Sequence, residues 1–335
     1  MDAYGHPLSM KVDSEEFMQQ SLAGIGIRKA QKRKKGSAAA YLSRNWFLYL
    51  LALPGFIYLF IFRYSPIYGV LIAFKDYKVR LGIWNSPWVG LENFKILFQD
   101  EYFYKVLANT VWINVLNIFF CTIFTVFLAL LLNEMLSTKI KRIVQTAVYL
   151  PNFLSWVVFG GLVIIFLSPS EGPVNKIITA LGGKSVYFLI QPQYFKAILV
   201  ITTIIKSAGF GTIIYLSSLA GIDPGLYESA VIDGANRFHA MKHITLPRLY
   251  PTIAVMVMLD LANIFSSNFE QVFTLYNPLV YDTGDVLSTY LYRSGMLEGK
   301  FEMSTALSFV FNVVSLLTIL GVNKVISRSD VVGVF

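Results

Sequence analysis

The chain has 335 residues, of which 55% are hydrophobic, 15% aromatic and only 14% charged, against roughly 25% charged in an average soluble domain. With a mean hydropathy of +0.58 it carries more apolar surface than one compact core hides, which excludes an ordinary soluble enzyme. The net charge of +8 does not point to nucleic acid, because basic residues crowd the segment 1–45 and otherwise scatter through short loops, the pattern of a cytoplasmic membrane face.

The tail 1–45 carries Arg28, Lys29 and the run Lys32, Arg33, Lys34, Lys35 and reads as a solvated arm beside anionic lipid headgroups. The apolar run after it begins near Trp46 with no Ala-x-Ala site behind it, so an uncleaved first membrane helix is expected rather than a signal peptide. Uncharged stretches at 45–62, 106–133, 143–170 and 303–323 are each long enough to cross a hydrocarbon core of about 30 Å. Two further stretches, 197–219 and 250–269, are interrupted near their middles by Lys206 and Asp260. Such charges are tolerated where they face protein or water and then mark functional sites. Six spans put both termini on one side, and the basic bias of the tail places that side in the cytoplasm. The expected organisation is a tail (1–45), a six-helix membrane domain (46–328) with a cytoplasmic loop at 220–247, and a short cytoplasmic end (329–335).

Outside the membrane, the segment 63–105 holds Trp84 and Trp88, and the segment 270–300 holds Tyr276, Tyr281, Tyr290 and Tyr292; these rings fit an interfacial aromatic belt. The single cysteine, Cys121, excludes an internal disulfide and any cysteine-based zinc site, and reads as a packed apolar thiol. His239 and His243 lie four apart but lack a third ligand at useful spacing, so no metal site is expected.

Lys206 and Asp260 sit at similar depth in antiparallel neighbours, and the expectation is that they pair or share a polar network, offsetting the cost of two isolated charges. On the fifth span, Asp260, Asn263, Ser267 and Glu270 follow helical spacing and form one polar stripe. Ser304, Ser308, Asn312 and Ser315 share a face of the sixth span, where small polar residues serve either a pathway or helix packing. The candidate translocation pathway is thus Lys206, Asp260, Asn263, Ser267, Glu270 and Asn312.

The loop 220–247 does not read as a connector. Asp223 is placed to cap a helix with Pro224 at its first position, Gly234 to end it, and a second short helix is expected from Asn236 to Ile244, broken by Leu246-Pro247 before the fifth span. In this loop Glu228-Ser229-Ala230, then Asp233-Gly234-Ala235, then Ile244-Thr245-Leu246-Pro247 resemble the EAA signature of membrane subunits of binding-protein-dependent ABC importers, with Ser229 in place of the usual alanine. The resemblance extends over about 46–328. Trp88-Val89-Gly90-Leu91-Glu92-Asn93-Phe94 looks like the carbohydrate-uptake branch, and Tyr276-Asn277-Pro278-Leu279-Val280-Tyr281 with Asp285-Val286-Leu287 looks like oligosaccharide permeases of polysaccharide-degrading bacteria.

The resemblance implies an all-α polytopic protein with the type I ABC importer permease fold, seated in a bacterial inner membrane. It implies as partners a second homologous permease, a cytoplasmic ABC ATPase dimer and an extracytoplasmic solute-binding protein that delivers a sugar or oligosaccharide. The ATPase would meet Glu228, Ser229, Ala230, Asp233, Gly234, Ala235, Ile244, Leu246 and Pro247. No phosphate-binding Gly-x-x-x-x-Gly-Lys-Ser/Thr loop occurs in the chain, so it is not itself an enzyme by that route and needs no cofactor. Alternatives are an importer permease for a non-sugar solute, and an ion-coupled secondary transporter using Lys206, Asp260 and Glu270, which leaves the folded loop unexplained.

Overall fold

The computed structural model describes residues 44–265 and 269–326; the basic tail before Arg44, Ser267 and the segment 329–335 lie outside them. Among the described residues all regular elements are helical, apart from one isolated bridge between Lys75 and Trp88. Among the described residues five helices are long and apolar enough to cross a membrane, or six if a sharply bent pair counts as one span. The chain divides into two units, Met1–Pro66 and Ile67–Phe335.

In the first unit the helix Trp46–Leu59 contains Pro54 and buries none of its residues. Being apolar on every side, it suits lipid rather than water.

The second unit opens with a folded cap. Buried Lys75 donates from Nζ to the Ile83 (2.7 Å) and Trp84 (3.1 Å) carbonyls, and Asn93 donates to the Ala73 and Lys75 carbonyls at 2.9 and 3.0 Å. These bonds satisfy backbone groups that a 3-10 stretch and a turn leave open. The second span, Glu101–Glu134, begins at Asp100, whose carboxylate accepts from the Tyr102 N–H at 2.9 Å. It runs between the fourth and fifth spans and buries Asn109, Asn114 and Asn117.

Two of the expected spans are not continuous. The stretch 143–170 is the bent pair: Thr138–Phe153 and Trp156–Phe166 meet at 105°. Pro151 weakens the helix there, and Ser155 starts a new one by accepting from the Val158 N–H at 3.3 Å. The fifth span ends at Ala262 instead of reaching residue 269; Asn263–Phe265 form a turn, and a separate helix runs over Phe269–Leu275. Asn263 donates to the Leu259 carbonyl at 3.0 Å, the local competition by which asparagine ends helices.

The fourth span, Pro192–Ala220, carries a π-turn at Ile204–Ala208, and the sixth helix is Phe301–Ile326. One buried cluster (Ile113, Phe195, Leu199, Val272, Leu275) joins spans two and four to the Phe269–Leu275 helix. A second (Val126, Ala129, Tyr215, Leu219, Leu249) joins spans two, four and five.

Candidate functional site

The loop 220–247 folds as one knob. Its first helix, Pro224–Ile232, starts where the Asp223 carboxylate accepts from the Gly225 N–H at 2.9 Å. It ends with the Ala235 N–H reaching the Ala230 carbonyl (2.8 Å) and Gly234 at φ +79°, the left-handed closure that glycine permits. Ser229 bonds back to the Gly225 carbonyl at 2.7 Å. Glu228, Ser229, Asp233 and Gly234 are exposed, as are Val231 and Ile232, while Ala230 and Ala235 are half-buried. An exposed acidic, small-residue and aliphatic surface of this kind suits a protein partner.

Beyond the Pro224–Ile232 helix the expected break at Leu246-Pro247 is absent. Asn236 caps the next helix by accepting from the His239 N–H at 2.8 Å, and helix then continues without interruption from Arg237 to Ala262. The continuity has a local cause. A π-turn over Met241–Thr245 sends the Leu246 N–H back to the Met241 carbonyl, and Pro247, which has no N–H to give, follows directly on this shift of register. Ile244 and Leu246 are half-buried, and Pro247 is exposed. The Tyr227 hydroxyl lies 3.0 Å from the Oγ1 of fully buried Thr245. His239 and His243 stack their rings on the exposed side, and no group of three metal-binding side chains occurs among the described residues.

Deep in the membrane region, Lys206 and Asp260 form no ion pair among the described residues. The Lys206 ammonium instead donates to the Leu154 (2.6 Å), Asn152 (3.1 Å) and Pro151 (3.4 Å) carbonyls and lies 5.3 Å from the Trp156 ring centre. They lie at the 105° bend, where the Pro151 carbonyl also accepts from the Leu154 N–H at 3.3 Å, and a cation at such a helix end is favourable.

Asp260 opens instead into a cavity of about 210 Å³ that it shares with Asn114, Asn117, Cys121, Thr203, Ser207 and Asn263. Its carboxylate accepts no hydrogen bond from the described residues. Asn117 is 7% exposed, yet both its amide atoms are without a partner among the described residues. Asn114 holds the cavity edge by donating to the Ile264 carbonyl at 2.7 Å.

The polar stripe expected on the fifth span is therefore divided. Asp260 and Asn263 share the cavity, whereas Glu270 is exposed on the separate Phe269–Leu275 helix. Next to Glu270, Gln271 is fully buried and bonds the Leu199 carbonyl and Thr202 Oγ1 at 2.7 and 2.8 Å. Asn312 lines another cavity, of about 370 Å³, with Ser308, Ser315 and the rings of Phe265, Phe269, Tyr292 and Phe311. Ser304 is buried and bonded to the Leu291 carbonyl at 3.1 Å, a packing role.

At the far end, a network that sequence reasoning missed ties the segment 276–293 to the start of the second span. Fully buried Asp285 accepts from Arg293 (2.6 Å), Tyr102 (2.7 Å) and Thr289 (2.7 Å). Burial pulls the Arg293 guanidinium down, but its bond to Asp285 and that carboxylate's charge, aided by Tyr102, outweigh this and hold it above its ordinary value. The Tyr290 phenol is pushed up to about 12, by burial first and then by its bond to Asp100. Arg293 also stacks 4.5 Å from the Tyr281 ring centre, so Tyr281 and Tyr290 belong to this network rather than to a lipid-facing belt. The only cue in the sequence was the cluster of tyrosines around Asp285 and Arg293.

Comparison with known proteins agrees with this architecture. The profile of the family described as binding-protein-dependent transport system inner membrane component matches residues 121–328. The chain is 40% identical to the protein LplB of Bacillus subtilis (strain 168), over 88% of this chain and 93% of that one. It is 36% identical to the polygalacturonan/rhamnogalacturonan transport system permease protein YteP of the same organism, over 92% and 96%. Among solved structures, a chain of a bacterial alginate ABC transporter in complex with an alginate pentasaccharide-bound periplasmic protein superposes with a TM-score of 0.81 at 40% identity, covering 88% of this chain and 99% of that one.

Proposed function

The chain belongs to the binding-protein-dependent transport system inner membrane components, and from that premise we propose how its residues carry an oligosaccharide. It is the membrane-spanning permease subunit of an ATP-driven ABC importer for a sugar or oligosaccharide, an inner-membrane protein and not an enzyme. It works with a second permease, a separate ATPase and a solute-binding protein. Both termini lie in the cytoplasm on our reading, supported by the basic bias of 1–45.

The observation that carries the pathway is the cavity of Asn114, Asn117, Thr203, Ser207, Asp260 and Asn263. It offers amide and hydroxyl groups and one carboxylate, and at least the Asn117 amide has no protein partner among the described residues. A hydroxyl-rich sugar ring supplies the donor and acceptor that the Asn117 amide lacks. The aromatic-lined cavity with Asn312 adds ring faces for stacking. This reading keeps Asp260, Asn263 and Asn312 on the pathway and gives Lys206 a bracing role. Outside the membrane the loop 220–247 meets the ATPase, with Glu228 facing a basic or polar group of it.

The test uses the complete complex in proteoliposomes, with labelled oligosaccharide delivered by the binding protein. Glu228→Lys is expected to leave the subunit in the membrane and to lower uptake by about tenfold or more, the effect of a charge reversal at a charge-paired contact. Unchanged uptake would remove Glu228 from the ATPase contact. Uptake of a free amino acid in place of oligosaccharide would overturn the cargo assignment.

A further inference from the structure

We propose that the Tyr227–Thr245 hydrogen bond is the strut that passes movement of the helix Pro224–Ile232, here the coupling helix, into the fifth span. The inference rests on the reading of the 220–247 loop as the ATPase contact.

The coupling helix is joined to the rest of the molecule very sparingly. Its chain connections are Gly221–Asp223 on one side and Asp233–Asn236 on the other, and the second contains Gly234 at φ +79°. Such a turn redirects the chain but does not by itself fix the angle between the helices it joins. Among the described residues, the 3.0 Å contact between the Tyr227 hydroxyl and Thr245 Oγ1 is the only hydrogen bond that links the coupling helix to another helix. The remaining bonds of Pro224–Ile232 stay within the helix and its own caps.

Both ends of this bond are placed for load. Tyr227 is next to Glu228, so a push delivered at Glu228 arrives one residue from the strut. Thr245 is fully buried, and its Oγ1 also lies 3.5 Å from the Ala240 carbonyl. It is the last residue of the π-turn that keeps Arg237–Ala262 one unbroken helix. Displacement at Thr245 therefore moves the helix whose other end carries Asp260 into the polar cavity. Without the bond the coupling helix can pivot about its two connections while the fifth span stays behind.

The experiment measures oligosaccharide uptake per ATP hydrolysed in the reconstituted four-part complex. Tyr227→Phe removes one hydroxyl from an otherwise unchanged ring, and the ratio is expected to fall about fivefold, the equivalent of one neutral hydrogen bond, with the ATPase still co-purifying. Thr245→Val should lower it equally, the double variant should be no worse than either single one, and Thr245→Ser, which keeps the hydroxyl, should restore it. An unchanged ratio in Tyr227→Phe, additive losses in the double variant, or release of the ATPase by Tyr227→Phe would each overturn the proposal. Failure of the wild-type subunit to retain the ATPase through this loop would instead overturn the reading on which it rests.

Discussion

A lysine ammonium at membrane depth must either be neutralised or find oxygens to donate to, and Lys206 finds three backbone carbonyls. The Asn152 and Leu154 carbonyls are open because the third span bends by 105° just where they lie, and hydrocarbon offers them no water. Cation and bend thus offset one another's cost. Lys206→Met should then leave the Asn152 and Leu154 carbonyls unpaired, and Pro151 with only its bond from the Leu154 N–H, and destabilise the subunit by about 3 kcal/mol, since each unmade bond to a charged donor costs about 1.5–3 kcal/mol. The measurement is the midpoint of thermal unfolding of the detergent-extracted complex; a midpoint equal to wild type would sink the idea. The unusual charge was legible in the sequence, but its partner was not. Asp260 suggested itself because side chains can be paired by inspection, whereas carbonyl groups are present at every residue and become acceptors only once the backbone has been seen to bend.

The same bend shows how an element is specified by its neighbour. The fourth span grips the elbow at three positions spaced by three: Lys206 through the carbonyls, Gly209 against Val148, and Thr212 through a 3.2 Å contact with the Tyr149 hydroxyl. A Cβ at Gly209 would be driven into the Val148 carbonyl oxygen, which belongs to backbone and cannot swing aside. Gly209→Val is expected to cost about 3 kcal/mol or more, at the upper end of overpacking penalties, and to reduce the amount of assembled complex recovered from the membrane. Gly161→Ala, where an added Cβ meets nothing within 4 Å, is the control and should leave recovery unchanged. Equal recovery of the two variants would show that the close approach is not needed. The elbow was partly legible: Pro151 and Ser155 are ordinary punctuation for ending and starting a helix. The absence of charge over 143–170 outweighed them. Hydropathy finds membrane depth and is blind to direction, so a half-span after a bend scores like a whole one. At 241–247 the error ran the other way, because a proline that looks like a break is absorbed by a π-turn that no local pattern announces.

At the scale of the molecule the proposed ATPase contact and the proposed sugar path lie at the two ends of one helix. Thr245 stands where Arg237–Ala262 meets the coupling helix, and Asp260 stands 15 residues on, about 22 Å away at 1.5 Å per residue. A rigid displacement at the inner end is therefore felt at the cavity. The inner end was legible because its signature is contiguous in sequence. The cavity was legible only at Asp260 and Asn263, because its walls come from 114–121, 203–207 and 260–263, and helical spacing says nothing about which spans become neighbours. Asn117 separates function from stability most cleanly. Its amide is buried but unpartnered among the described residues, and a polar group in that condition costs free energy instead of contributing it. Asn117→Leu, close in volume, should leave the unfolding midpoint unchanged or raise it, while lowering oligosaccharide uptake by about tenfold, the loss of one or two bonds to a sugar hydroxyl. Uptake and unfolding falling together would mean that the amide serves packing. Uptake at the wild-type level would place the sugar's path elsewhere, and the cavity beside Asn312, with its aromatic walls, would be the next position to substitute.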